Sequence, residues 1–449
     1  MALARVIGRS DALLLAFLAI ALCLASPSPP GDAPPQVPRA LSPDAKLSGP
    51  ASYLAVALDN SARVHAAWER WQAAERRSAA AGGLPEPTVS FGAYVAAVET
   101  RVGPQLGKVS VQQTVPWPGR LSAANDMASA EARSAQLALE GAVLRVRQQV
   151  LDRYWVLWEL RANRDVHVSH LDVLDDLSTT VRARVEVGKA SLSDLQQVDL
   201  TRARLAEDIA SMEAEEYAAV ADLRATLGLR TAGLLPTPLP PPEPTVPTEE
   251  RPLLVARVLA HPALLETQAR VDGADARVRG SKAQRLPSLA VGADWILTGP
   301  AELSDVEDSG KDALAVALGV QVPIWQRRYG DVIAASESTS RAARSDARRE
   351  ADEAVATLDA VVAALRDKAR RAHVTEGTLL PQAEATYTSL LGSWAVGDAS
   401  VAQVLLAERD LLQLRIEADR ARVAHARAWA ALDALCGTEL PRRSAKESP

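Results

Sequence analysis

The sequence is poor in cysteine, in aromatic residues and in clustered positive charge. Its two cysteines provide no disulfide framework, and aromatic residues make up only 4% of the chain, so a single large globular core is difficult to build. The net charge is −6, with acidic and basic residues interspersed, which argues against a nucleic-acid-binding surface. The abundant Ala, Leu, Arg and Glu are instead typical of long helices or coiled coils.

Motifs for catalysis or cofactor binding are also lacking. The segment Gly103 to Lys108 superficially resembles a phosphate loop, but its spacing is one residue short and a predicted strand follows it instead of a helix. We interpret it as a turn between strands. The sequence shows neither a nucleophile elbow nor a dinucleotide fingerprint. We therefore expect no enzyme activity, no cofactor and no nucleic-acid partner.

A metal site is not predicted either. His167 and His170 are three residues apart on a predicted helix and could share a metal, but no third ligand is evidently placed to complete the site. The favoured interpretation is an exposed or partly buried histidine pair. Glu213, Glu215 and Glu216 are interpreted as a solvated helix face, because catalytic carboxylates require a pocket that the sequence does not reveal.

The N-terminus resembles a secretory signal peptide. Arg5 and Arg9 precede an apolar run from Ala12 to Ala25 that is short for a permanent transmembrane helix, and we expect cleavage after Ala25. Cys23 offers an alternative, a lipoprotein in which this cysteine is acylated, although Leu22 stands where a small residue is wanted. No other segment is a candidate for a transmembrane helix.

One short motif occurs twice in the same context. Val187-Gly188-Lys189-Ala190-Ser191 returns 209 residues later as Val396-Gly397-Asp398-Ala399-Ser400, each time between two predicted helices. The glycine can end one helix in the left-handed conformation, and the serine can N-cap the next helix, with Asp194 or Gln403 completing a capping box. The motif predicts the tip of an antiparallel helical hairpin, and its recurrence predicts an internal duplication.

Each repeat also contains a predicted strand pair. Strands are expected at about 88–98 and 108–116, joined by a loop at 99–107, and again at about 288–297 and 312–322, because apolar and polar residues alternate there. A helix precedes each pair, at 51–81 and 251–285. A helix of about 100 Å should run from Gly119 to Val187, and the return helix is about half as long. The preceding helix has the missing length and should stack end to end with the return helix.

The strands are apolar on one face, and nothing in the chain is an obvious cover for it. Four strands cannot close a barrel, whereas strands in a membrane must leave no open edge. Three chains would supply twelve strands whose apolar face contacts lipid. We therefore expect a trimer in a Gram-negative outer membrane.

This organisation resembles the TolC-like outer-membrane efflux proteins. The order is helix, Leu-Pro-x-Pro, strand pair, Val-Pro, long helix, glycine tip and return helix ending in Leu-Gly. The order is duplicated over roughly 51–440, with Leu286-Pro287 and Cys436-Gly437 at the matching points of the second copy. The pattern at 261–292 resembles the heavy-metal, CzcC-like branch. The resemblance implies a mainly α fold in which duplicated helical hairpins form a periplasmic α-barrel that continues a trimeric 12-stranded outer-membrane β-barrel. It also implies two partners, a periplasmic adaptor (membrane fusion) protein and an inner-membrane efflux pump.

These expectations divide the chain into six parts. They are a signal peptide (1–25), a proline-rich arm (26–50), a first repeat (51–230), a proline-rich linker (231–252), a second repeat (253–440) and a tail (441–449). The predicted function is an exit duct for small molecules or metal ions. The alternatives are a periplasmic coiled-coil adaptor or scaffold, or the exit duct of a type I protein secretion system.

Two candidate sites follow from this interpretation. The ten residues of the two motif copies should form the periplasmic end, where they would dock the adaptor and gate the channel, or serve only to turn the chain. Lys189 and Asp398 hold the same motif position with opposite charge and could pair around a ring of tips. Tyr154, Trp155 and Trp158 are interpreted as core residues packed beneath a covering layer such as the 231–252 linker, in preference to a ligand site.

Overall fold

The computed structural model describes residues 47, 49–230, 233, 235–302 and 305–444. The predicted signal peptide, the possible lipidation site Cys23 and nearly all of the 26–50 arm lie outside these residues. No helix in the described part of the chain combines the length and the apolar character that crossing a bilayer requires.

The fold consists of two similar halves of helices and strands. The first half contains, in chain order, α1 (Pro50–Asn60), α2 (Ala62–Ala81), β1 (Thr88–Thr100), β2 (Gly103–Val115), α3 (Pro118–Glu186) and α4 (Leu192–Thr226). The second contains β3 (Thr245–Pro247), α5 (Arg251–Leu259), α6 (Pro262–Ala283), β4 (Ser288–Thr298), β5 (Ala313–Gln321), α7 (Gln326–Val374), a π-helical turn (Thr375–Leu379), α8 (Leu380–Val396), α9 (Val401–Cys436) and β6 (Arg442–Ser444).

The four long strands form one antiparallel sheet in the order β1-β2-β4-β5. The central pairing of β2 with β4 joins the two halves. One row across the sheet is Phe91, Val109, Trp295 and Leu314. Because residues directly opposite each other share a face, the alternating apolar residues of all four strands lie on one side.

The prediction of a loop at 99–107 was wrong. β1 runs to Thr100 and β2 begins at Gly103, so only Arg101 and Val102 connect the strands. The alternation is hidden there by Gly103, Pro104 and Gly107, which contribute no side chain of the expected type, although their backbone still pairs with β1.

The helix that precedes each strand pair is broken, which the sequence interpretation missed. Ser61 has extended backbone angles and its hydroxyl accepts a hydrogen bond from the Val64 amide, so a new helix begins there. In the second half the break falls at Ala260 and His261, where the following proline disfavours helical geometry for His261.

These breaks lie where the return helices end. Gly228, just beyond α4, approaches Asn60 so closely that an added Cβ would lie 2.7 Å from the Asn60 Cβ and 2.9 Å from its carbonyl oxygen. Gly437, just beyond α9, lies at the equivalent junction, where an added Cβ would be 3.5 Å from the His261 ring and 3.6 Å from the Pro262 ring. The return helices α4 and α9 therefore stack end to end with α2 and α6, as the helix lengths predicted.

The aromatic cluster is part of a packed core, which confirms the core interpretation. Tyr154 and Trp155 are buried with Tyr53 and Leu157, and the Tyr154 and Tyr53 rings are 5.0 Å apart edge to face. The equivalent core of the second half takes its large ring, Trp429, from the return helix. The corresponding positions of α7, around 361–367, hold no aromatic residue.

The proline-rich linker covers the first of these cores. Tyr154 accepts a hydrogen bond from the Leu239 amide at 2.7 Å, and Tyr53 donates to the Pro236 carbonyl at 3.3 Å. The linker then forms β3, which pairs with β6 at residues that were predicted to be a tail. Arg442 on β6 stacks over the Trp429 ring at 4.5 Å and pairs with Asp433, which holds the start of the predicted tail against the core.

Candidate functional site: the paired hairpin tips

Both motif copies form the predicted turn. Gly188 and Gly397 have φ angles of 71° and 95°, the left-handed region that only glycine adopts without strain. The backbone amide of Lys189 donates to the Arg184 carbonyl at 2.8 Å, and that of Asp398 donates to the Ser393 carbonyl at 2.9 Å. These are the bonds that span six residues in a Schellman motif. Each long helix thus ends in the same way.

The serines then start the return helices as N-caps. Ser191 accepts a hydrogen bond from the Asp194 amide at 3.1 Å, and the Asp194 carboxylate accepts one from the Ser191 amide at 3.0 Å. Ser400 and Gln403 form the same reciprocal pair. Both predicted capping boxes are therefore present, and the first turn of α4 and of α9 is satisfied.

One arginine connects the two tips. Arg184, in the last turn of α3, donates to the carbonyl oxygens of Trp394 at 2.9 Å and Ala395 at 2.6 Å, near the end of α8. Its guanidinium also lies 4.3 Å from the centroid of the Trp394 ring. The guanidinium thus binds two carbonyl oxygens in the last turn of α8, of which that of Trp394 also accepts from the Gly397 amide, and it stacks on the Trp394 ring.

An apolar cluster lies behind this contact. Its buried members come from both hairpins: Leu174, Leu177, Val181, Val198, Leu205, Trp394, Val401 and Val404. The alanines of the two motifs, Ala190 and Ala399, pack against it. The two tips are therefore one packed unit, and the alanine of the motif has a packing role that the sequence alone did not show.

The valine and the charged residue of each motif are exposed. Val187 is 67% exposed and Val396 76% exposed, and Lys189 and Asp398 are also exposed. Within the described chain, Lys189 and Asp398 form no ion pair with each other. Each tip therefore presents one exposed valine and one charged side chain, which is positive at the first tip and negative at the second.

His167 and His170 are buried, which corrects the prediction of an exposed or partly buried pair. His170 is hydrogen-bonded to Glu408 of α9 at 2.6 Å, and its other ring nitrogen lies 3.2 Å from Arg415. His167 bonds to the Asn163 carbonyl of its own helix at 2.7 Å. The two rings thus have separate partners, and the described residues contain no group of three or more potential ligands that could hold a metal ion.

Glu216 corrects part of a second prediction. Glu213 and Glu215 are exposed, but Glu216 accepts hydrogen bonds from Arg161 at 2.7 Å and from Arg164 at 2.6 Å. Because Arg161 also donates to the Leu235 carbonyl, this carboxylate ties α4 to α3 and to the linker. The sequence could not show this role, since the partners are more than fifty residues apart.

Asp419 of α9 lies near two other carboxylates, Glu376 of the π-helical turn and Glu159 of α3. Burial raises the pKa of Asp419 to about 6; Arg422 lowers it, and the carboxylates of Glu376 and Glu159 raise it. Glu376 belongs to the π-helical turn and pairs with Arg422. This segment of α9 therefore carries a carboxyl group whose pKa is raised well above the ordinary value.

At the far end of α3 from the tips lies the sheet, whose apolar face is uncovered. Phe91 is 79% exposed and Leu318 80% exposed on that face. The opposite face is polar, and Lys108 pairs there with Asp294 at 2.9 Å. The chain thus places an exposed apolar sheet at one end of its longest helix and two packed hairpin tips at the other.

This duplicated arrangement is the fold of outer-membrane channel proteins. The chain is similar to the outer-membrane channel OprN (TM-score 0.75, 16% identity, covering 86% of this chain and 89% of that one). It is also similar to CusC (TM-score 0.74, 16% identity, 92% and 98%) and to VceC of Vibrio cholerae (TM-score 0.71, 18% identity, 87% and 97%). The predicted resemblance to TolC-like proteins is confirmed for the fold. No protein-family model matches the sequence, and no curated protein does.

Proposed function

We propose that this protein is the outer-membrane exit duct of a tripartite efflux system, with a periplasmic extension. The uncovered apolar face of the sheet is the observation that carries the proposal. Eight large apolar side chains on it are at least 46% exposed: Val89, Phe91, Leu289, Val291, Leu314, Val316, Leu318 and Val320. Such a face is stable in lipid and costly in water.

Closure of the sheet requires more than one chain. β1 and β5 are its edge strands, and each leaves one row of backbone groups without a strand partner within the described chain. Three chains would pair these edges into a barrel of twelve strands, which satisfies the backbone in lipid. The helical hairpins of the three chains would continue this barrel as a periplasmic α-barrel.

The paired tips are the proposed gating and docking end. The ten motif residues, Val187 to Ser191 and Val396 to Ser400, would meet the adaptor protein, which connects the duct to an inner-membrane pump. In a trimer, Lys189 and Asp398 would alternate around the opening and pair when it is closed. If Lys189→Gln and Asp398→Asn left single-channel conductance and pump-dependent resistance unchanged, this charge hypothesis would be wrong.

The alternatives differ in what they require. A periplasmic adaptor needs a compact globular domain around its hairpin, whereas this chain has a sheet with one uncovered apolar face. A type I secretion duct would share the fold and differ in its partner, and the CzcC-like branch would differ in its substrate. The proposed duct is passive, without catalysis, cofactor or bound metal.

The proposal includes the division of the chain. Residues 1–25 would be removed as a signal peptide, or Cys23 would be retained and acylated. The arm (26–50), the repeats (51–230 and 253–440), the linker (231–252) and the tail (441–449) would form the mature chain, although β6 already ties residues 442–444 of the tail to the linker.

Fractionation and gel mobility test the proposal together. An outer-membrane duct should be recovered with outer-membrane markers and should migrate as a trimer that dissociates on heating. Recovery as a soluble periplasmic protein would contradict the duct and favour the adaptor alternative. Conductance across a planar bilayer then separates a duct from a membrane-bound scaffold, which should give none.

A further inference from the structure

An apolar stripe on the edge strand β5 continues beyond the strand. Every second residue from Leu314 to Ile324 is apolar and at least 60% exposed, and Val322 and Ile324 extend the stripe past the last strand residue. A stripe of this length matches the nine to eleven residues that a membrane-spanning strand requires. The stripe therefore indicates where the lipid-facing surface ends on the side of the helices.

Two unpaired cations directly follow the stripe. Trp325 is 69% exposed at its end, and Arg327 and Arg328 are exposed in the first turn of α7. Neither arginine forms an ion pair with any residue in the described part of the chain. The order of apolar stripe, tryptophan and arginine is the order of groups across a bilayer, from hydrocarbon to headgroup.

These residues line one shallow cleft of about 690 Å³. A third cation, Arg285, lies beside it and donates to Gln326 at 3.1 Å, and Gln326 in turn donates to the Pro323 carbonyl at 2.5 Å. The one acidic residue that lines the cleft is Asp331. The cleft thus carries an excess of positive charge beside exposed apolar side chains.

The first half lacks this arrangement. Its equivalent junction reads Pro116-Trp117-Pro118-Gly119-Arg120, with a tryptophan 44% exposed and one arginine. The duplication therefore keeps the tryptophan in both halves and places the pair of arginines in the second half only.

From this we infer that Trp325, Arg327 and Arg328 form a binding site for the phosphate headgroup of an anionic phospholipid. The inference rests on the proposed function, since the lipid would belong to the leaflet that faces the helices. The arginines would bind the headgroup phosphate, the Trp325 ring would lie at the level of the headgroup, and the acyl chains would lie along the stripe from Ile324 to Leu314.

Lipid retention by the purified trimer tests the site. Insertion is checked first, by reconstituting the protein into neutral phosphatidylcholine vesicles. In a separate experiment the trimer in detergent is titrated with phosphatidylglycerol or phosphatidylcholine, and bound lipid is counted by native mass spectrometry. We expect tighter binding of phosphatidylglycerol. Arg327→Gln with Arg328→Gln should weaken it about 25-fold, from roughly fivefold for each arginine near a membrane surface.

Two control variants separate the site from general charge and from folding. Arg348→Gln changes an exposed arginine of the same helix, about 30 Å further along it, that forms no ion pair with any described residue. This variant should leave lipid binding unchanged. The double variant Arg327→Lys with Arg328→Lys keeps the charge and should retain most of the preference for phosphatidylglycerol.

The other outcomes contradict the inference in different ways. Insertion into neutral vesicles without a preference for phosphatidylglycerol overturns the site and leaves the duct proposal intact, whereas failure to insert overturns both. Displacement of the lipid by millimolar inorganic phosphate would indicate a site for free phosphate. Loss of the trimer in the glutamine variant, with lipid preference unchanged in the remaining trimer, would indicate a contact between copies.

Discussion

Arg184 and Trp394 join the two halves of the molecule at the hairpin tips. The guanidinium lies 4.3 Å from the ring centroid and donates to the Trp394 carbonyl at 2.9 Å. Each residue lies within the last turns of a long helix, one in each half. The contact therefore couples two tips that the duplication generated separately.

Replacing Arg184 by alanine should loosen this contact. The stacking and the charged hydrogen bonds together contribute about 2 kcal/mol. We expect faster amide hydrogen exchange at residues 394–398 and a larger or less stable single-channel conductance. Arg182→Ala is the matched control. Arg182 is exposed two residues before Arg184 in the same helix, and its ion pair with Asp199 is long, at 4.0 Å. Equal exchange in both variants would show that Arg184 does not hold the tips together.

A side chain at either tip glycine should be destabilising. Gly188→Ala and Gly397→Ala would each force a left-handed residue to carry a Cβ and should destabilise the tip by about 1 kcal/mol. Space is not the cause, since an added Cβ at either position meets nothing within 4 Å. Gly392→Ala in the helix α8 has equally open surroundings and should instead be stabilising, as measured by denaturant unfolding.

Gly228 and Gly437 provide a second comparison, because both have a φ of 70°. Alanine at either position carries the same backbone strain, but only Gly228→Ala places a Cβ against backbone, 2.9 Å from the Asn60 oxygen. Overpacking typically costs about 1–3 kcal/mol, so Gly228→Ala should lower the free energy of unfolding by about that much more than Gly437→Ala. Similar losses in thermal unfolding would mean that the end of α4 moves away from Asn60 easily.

Asp419 predicts a pH dependence of stability. Its folded-state pKa of about 6 lies above the ordinary value of 3.8, so the folded protein binds this proton more tightly than the unfolded chain. Stability should therefore fall as the pH rises from about 4 to about 6. Asp419→Asn should raise the free energy of unfolding at pH 7.5 by up to about 3 kcal/mol and change it little at pH 4.

The matched control for this prediction is Asp410→Asn, which removes an exposed carboxylate from the same helix. Its unfolding midpoint should follow the parent protein at both pH values. A stabilisation of Asp419→Asn that is equal at pH 4 and pH 7.5 would show that the effect comes from packing and not from the buried charge.

The sequence predicted those parts of the fold that depend on local patterns. The alternation at Val109 and Val111 indicated a strand, and the spacing from Gly188 to Ser191 indicated a hairpin tip, because both signals lie within a few residues. The duplication then allowed each signal to be checked against its second copy, which is why helix lengths alone predicted the end-to-end stacking.

The contacts that were missed connect residues distant in sequence. The bond from His170 to Glu408 and the bonds from Arg184 to α8 each join the two halves, and nothing in either local segment indicates its partner. The break at Ser61 had a signal, a serine suited to N-capping, but the apolar spacing continued through it and concealed the new helix start. In β2, Gly103 and Pro104 hid strand pairing that depends on backbone groups alone.

The most direct test of the duct is a charge placed on each face of β5. Leu318 lies on the apolar face and Ala317 on the opposite face, and both residues are exposed in the chain. An arginine on the lipid face near the bilayer centre costs about 2–4 kcal/mol, whereas one facing the lumen contacts water. We predict that Leu318→Arg reduces the trimer recovered in the outer membrane and that Ala317→Arg does not. Equal recovery of both variants would contradict the claim that this face contacts lipid.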